Sequence, residues 1–149
     1  LVGPQPFISE VRALRAAVLR HPPGQSQRAV ATFLSLGYYD ALISRMANAF
    51  QARRNAMMQA LREYALTPVE VSVSGGSSVW MKASDGIDTR QLATELSACN
   101  VLIEPGYVFF AAQSRPCPYY RLAYSSIDEA VIRPGVELIA RTLAGMTSP

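Results

Sequence analysis

Histidine and lysine are nearly absent from this 149-residue chain: His21 and Lys82 stand alone. A metal site built on clustered histidines therefore has little support, nor does a histidine-dependent catalytic triad. The two cysteines, Cys99 and Cys117, are too few for a disulfide framework and read as reduced thiols. No apolar run approaches the length of a membrane span, and no signal peptide is visible. The expected compartment is the cytoplasm, with no membrane partner. Internal repeats, low-complexity tracts and a phosphate-binding glycine loop are also missing. The basic side is almost wholly arginine, thirteen against one lysine, and the net charge of +3 is mild. That excess is not a nucleic-acid signature. What the chain does have is apolar content: half of its residues are hydrophobic, enough for one sizeable core.

The stretch Tyr119-Tyr120-Arg121-Leu122-Ala123-Tyr124-Ser125-Ser126 carries the chemistry. It reads as an aromatic and apolar strand with a helix-start signal at its end. An arginine in such a run must aim its guanidinium at something polar. Its planar fork suits a carboxylate held by two hydrogen bonds. Arg121 is therefore a candidate anion-recognition residue. The residues alone leave two alternatives open: a carboxylate of its own chain, or a head group in water.

In order, the chain begins abruptly at Leu1-Val2-Gly3-Pro4 without methionine, which reads as a piece of a longer protein. A helix is expected from about Gln5 to Arg20, with Phe7, Ile8, Val11, Leu14 and Val18 as one apolar stripe. His21-Pro22-Pro23-Gly24 ends it. A second helix spans roughly Gln25 to Leu36, with Ala29, Val30, Phe33 and Leu34 as its buried side and Gly37 as left-handed cap. A third runs from about Tyr39 to Tyr64, long enough to connect two lobes. Its arginines Arg45, Arg53, Arg54 and Arg62 read as a solvated face.

The period then changes. Val69, Val71 and Val73 alternate with polar residues, and Gly75-Gly76 precedes Ser77 to Lys82. This predicts a hairpin about the glycine pair. The glycines also suit a backbone lying close to a ligand. Asp88 or Thr89 caps a helix to about Cys99. Val101-Leu102-Ile103 predicts a short buried strand, and Tyr107 to Ala112 a strand or extended loop. Ser126 and Glu129 have capping-box spacing. Pro134 belongs in a first helical turn, so the final helix is placed from about Ile132 to Ala144. The class is α/β: helices leading into an α+β two-layer lobe.

These motifs, in this order, resemble the C-terminal part of a pyridoxal-phosphate enzyme of the aspartate aminotransferase fold, fold type I. The segments are Arg20-His21-Pro22-Pro23-Gly24-Gln25 through Ala31, Tyr38 to Leu61, Ser74-Gly75-Gly76-Ser77-Ser78-Val79-Trp80, and VLIEPGYV at Val101 to Val108 followed by RLAYSS from Arg121. The HPPGQSQRA, LIEPG and RLAYSS wording is most similar to the MocR branch of GntR-family regulators. Those join a winged helix-turn-helix to an aminotransferase-like body.

The resemblance implies three parts: residues 1–37 from the large cofactor-binding domain, 38–66 as the interlobe helix, and 67–149 as the small domain. It assigns Arg121 to the α-carboxylate of an amino-acid-like ligand. It brings Ser74, Gly75, Gly76 and Ser77 toward that ligand through their backbone. It places Gln25 and Gln27 near the cofactor of a neighbouring subunit in a homodimer. It implies pyridoxal 5'-phosphate in the intact protein, and DNA contact only through an N-terminal domain not present here. One departure stands out. This cofactor chemistry needs a lysine amine, and Lys82 has no matching context. The lysine segment of the resembled family would lie just before Leu1. The chain is thus expected to hold no catalytic residue and no covalently bound cofactor. Three functions remain: the ligand-sensing part of a regulator, the C-terminal part of an amino-acid aminotransferase, or a domain used only for association.

Overall fold

The computed structural model describes residues 2–70, 75–112 and 115–147. They divide into two compact units, Leu1–Arg45 and Met46–Pro149.

The first unit holds α1 (Gln5–Val18), α2 (Gly24–Ser35) and the start of α3 (Tyr38–Glu63). Pro4 precedes α1, where a missing N–H costs nothing. Pro22 and Pro23 separate α1 from α2 as expected, and Gly37 takes φ +74° at the end of α2. The stripes on α1 and α2 are not buried. No residue of either helix is buried, against the expectation for Ala29, Val30, Phe33 and Leu34. Periodicity marks which face of a helix is apolar; it does not supply the surface that covers it.

The second unit holds the rest of α3, then β1 (Pro68–Glu70), β2 (Ser78–Lys82), α4 (Thr89–Ala98), β3 (Glu104–Pro105), a 3-10 turn (Gly106–Phe109), β4 (Tyr119–Ala123) and α5 (Glu129–Thr147). The four strands form one antiparallel sheet in the order β1-β2-β4-β3. Its core joins Val79 and Met81 of β2 with Tyr120 and Leu122 of β4. Met57 and Leu61 of α3, Leu92 and Leu96 of α4, and Ile132, Val136 and Ile139 of α5 pack into the same core, as do Ile87 and Tyr124. Each such side chain contributes about 1.5–3 kcal/mol of burial. The α+β two-layer reading therefore holds, and so does the antiparallel pairing of β1 with β2. Val71, Val73 and Ser74 lie outside the described residues. Val69 is exposed, not half-buried, because β1 is a short edge strand with a register shift.

Asp88 caps α4, accepting the Arg90 N–H at 3.1 Å. Buried Thr89 reaches the Cys117 and Tyr119 carbonyls at 2.9 and 2.8 Å, tying α4 to the entry of β4. Residues 101–103 form no strand, and Leu102 is exposed. Pairing with β4 begins only at Glu104, because β4 offers partners there at Arg121 and Tyr120. Residues 106–109 coil into a 3-10 turn where a strand or extended loop was expected. Gly106 permits this, since a Cβ there would lie 2.5 Å from the Tyr119 carbonyl oxygen.

The last helix also differs from expectation. It starts at Glu129, with Asp128 and not Ser126 accepting the Ala130 N–H at 3.0 Å. Pro134 sits inside it. The buried stripe of Ile132, Val136 and Ile139 outweighs one missing backbone bond.

Candidate functional site

Side chains alternate along β4, and that alternation aims Arg121. Tyr120 and Leu122 enter the core, so Tyr119, Arg121 and Ala123 face the other way. Register then aligns a row across all four strands. Glu70 pairs with Trp80, Trp80 with Arg121, and Arg121 with Glu104. Two carboxylates, an indole and a guanidinium thus share one face of the sheet.

The guanidinium is engaged within its own chain. Arg121 Nη2 donates to Glu104 Oε1 at 2.7 Å and forms an ion pair with Oε2 at 2.5 Å. Arg121 Nε is buried and has no partner among the described residues. The Phe109 ring lies 5.2 Å from the guanidinium carbon. Trp80 meets Phe109 edge-on at 5.4 Å and stacks on Tyr119 at 5.9 Å. The hydrogen bond that Arg121 donates to Glu104 pushes its guanidinium further up from its ordinary value, so it stays a cation.

Arg121 also lines a cleft of about 650 Å³ with Arg54, Met58, Glu70, Gly75, Trp80 and Tyr124. An adjoining cleft of about 510 Å³ takes in Arg54, Asn55, Gly75 and Gly76. Both glycines have left-handed backbone, with φ +76° and +100°. A Cβ on Gly76 would lie 3.6 Å from the Tyr124 hydroxyl oxygen. The carbonyl of Ser77 accepts the Tyr124 N–H at 2.9 Å, so that backbone group is already in use. Ser74 lies outside the described residues. Arg53 donates to the Ser125 carbonyl, joining α3 to the exit of β4.

Gln25 and Gln27 belong to the first unit and are exposed. Gln27 Nε2 donates to the Pro22 carbonyl at 2.9 Å. The sequence reading missed Glu70, Trp80 and Glu104 as members of the site. Its one available signal was Glu104, a charge closing the apolar run Val101-Leu102-Ile103.

A separate apolar cleft of about 360 Å³ opens between α5 and residues 99–102, with no basic side chain in its lining. Among the described residues no group of metal-ligating side chains is assembled, and no helix is long and apolar enough to cross a membrane.

The site's residues do not fit a covalent cofactor anchor. Lys82, the sole lysine, pairs with Asp85 at 2.9 Å, lies 5.8 Å from the Tyr119 ring centroid, and is not part of the Arg121 cleft.

No family model matches the chain. It is 53% identical over 143 residues to the HTH-type transcriptional regulator TauR of Rhodobacter capsulatus, covering 96% of this chain and 30% of that protein. It is 32% identical over 108 residues to aromatic-amino-acid aminotransferase 1 of Thermococcus litoralis, covering 72% and 26%. Among solved structures it resembles LysN, the alpha-aminoadipate aminotransferase of Thermus thermophilus, solved with N-(5'-phosphopyridoxyl)-L-leucine. The TM-score is 0.78 at 28% identity, over 98% of this chain and 37% of that one. The chain thus spans about a third of the length of these proteins or less.

Proposed function

We infer that this chain, homologous to MocR/GntR-like HTH-type regulators and to fold type I aminotransferases, is the effector-binding portion of an aminotransferase-like transcription regulator. In this reading residues 67–149 are the small lobe, 38–66 the helix between lobes, and 1–37 part of a larger cofactor-binding lobe. Pyridoxal phosphate is held by parts of the intact protein outside this chain, which works as a homodimer. DNA is met through a helix-turn-helix domain, also outside this chain. Gln25 and Gln27 approach the cofactor of the neighbouring subunit.

The observation that carries the reading is the placement of Arg121. It is a permanent cation on a fixed strand, at a cleft whose rim includes left-handed Gly75. Arg121 takes the ligand carboxylate, while Gly75 and Gly76 let backbone lie close to the ligand. Ligand binding at this cleft favours one arrangement of the dimer over another, and the DNA-binding heads follow. The test is operator binding by the intact protein, with and without added amino acid. An amino-acid effect that vanishes in Arg121→Gln supports the reading; an undiminished effect removes it.

The second reading is an aminotransferase, favoured by the likeness to LysN at TM-score 0.78. Steady turnover of an amino acid and a keto acid by the intact protein, without any DNA binding, would select it.

A further inference from the structure

We propose that Glu104 is a built-in competitor for the ligand at Arg121, so that a ligand carboxylate binds only by displacing it. This rests on the reading of Arg121 as a carboxylate receptor.

The argument starts from guanidinium geometry. A carboxylate gripped at two points uses either the side edge, Nε with Nη2, or the end, Nη1 with Nη2. Both grips need Nη2. Glu104 places both of its oxygens on Nη2, at 2.7 and 2.5 Å. Nε is left buried with no partner among the described residues. The present pairing therefore blocks each two-point grip while leaving a donor that only the side-edge grip would satisfy.

Backbone constraints hold Glu104 in place to do this. Its register against Arg121 is direct, and β3 stops after one more residue, Pro105. Gly106 then presses so closely on β4 that no Cβ fits, which fixes the chain just past Glu104. The side chain itself is free to leave. Its exposure is 47%, and that of Arg121 is 38%. A pair this exposed is held only weakly. Water can take up the released carboxylate at little cost.

Two consequences follow for the ligand. A neutral amide brings one acceptor oxygen and no charge to Nη2, so it displaces Glu104 less well than a carboxylate does. After displacement the Glu104 charge stays close by, so a second negative charge on the ligand is disfavoured.

The experiment is calorimetric titration of the intact, cofactor-loaded protein with L-alanine and with L-aspartate as probes. Removing the competitor removes the occupancy penalty on apparent affinity. Glu104→Gln is expected to tighten L-alanine by about two- to sixfold, and L-aspartate by more. Glu104→Ala should act the same way and stands in if the first variant does not fold. Unchanged or weakened L-alanine affinity in a folded variant overturns the proposal. Arg121→Gln separates the two claims. If it abolishes binding while the Glu104 variants change nothing, only the competitor role falls. If it binds like the unaltered protein, the receptor role of Arg121 falls as well.

Discussion

Arg121 and Glu104 face each other directly across β4 and β3, with both carboxylate oxygens resting on one guanidinium nitrogen. Both side chains are more than a third exposed, so the pair contributes little to folding. Arg121→Gln is therefore expected to lower unfolding stability by no more than about 1 kcal/mol. Urea denaturation followed by circular dichroism checks this. A much larger loss would mean that the arginine serves the fold and not a ligand.

Gly106 is held to glycine by the strand beside it. A Cβ would lie 2.5 Å from the Tyr119 carbonyl oxygen and 2.7 Å from its carbonyl carbon, backbone atoms that cannot swing aside. Gly106→Ala should cost about 1–3 kcal/mol by overpacking. The same urea experiment reads it, and an unchanged midpoint would contradict the close approach.

Tyr120 gives the fold an alkaline limit. Burial pushes its phenol up to about 12. In the unfolded chain a tyrosine titrates near 10. The folded state thus favours the neutral form, and stability is whole below about pH 10. It falls as pH rises toward about 12, by roughly 2–3 kcal/mol from this group. Tyr120→Phe should lose less stability over that range than the unaltered chain. Parallel losses in thermal melts at both ends of the range would refute this.

Lys82 is a poor nucleophile here. Its hydrogen bond with Asp85 raises the ammonium above its ordinary value, which keeps the amine protonated. Mixing this chain with pyridoxal phosphate and borohydride should give no stoichiometric adduct at Lys82 by mass spectrometry. Full labelling there would show that the chain carries its own anchor.

Much of this architecture can be read from residue pattern. The strand at Tyr119, the hairpin partner at Ser78 to Lys82, and the caps at Gly37 and Asp88 follow from alternation and local turn chemistry. The misses share a cause. Val101-Leu102-Ile103 is apolar enough for a strand, but strand pairing depends on what β4 offers, and that is set at a distance. Ser126 and Asp128 both suit a helix start, and packing of Ile132 chose the later one. The exposed faces of α1 and α2 were legible as faces, not as covered surfaces. Arg121 stood out because a charge in an aromatic strand is conspicuous. Its partner did not, because Glu104 meets it only through the register of β3 on β4.

The most direct measurement compares L-alanine with L-alaninamide in calorimetric titrations of the intact, cofactor-loaded protein. The two differ only in the carboxylate. If Arg121 grips that group, the acid binds more tightly by about 10–100-fold, and Arg121→Gln erases the difference. If the preference for the acid survives in Arg121→Gln, the carboxylate is read elsewhere and the account is wrong.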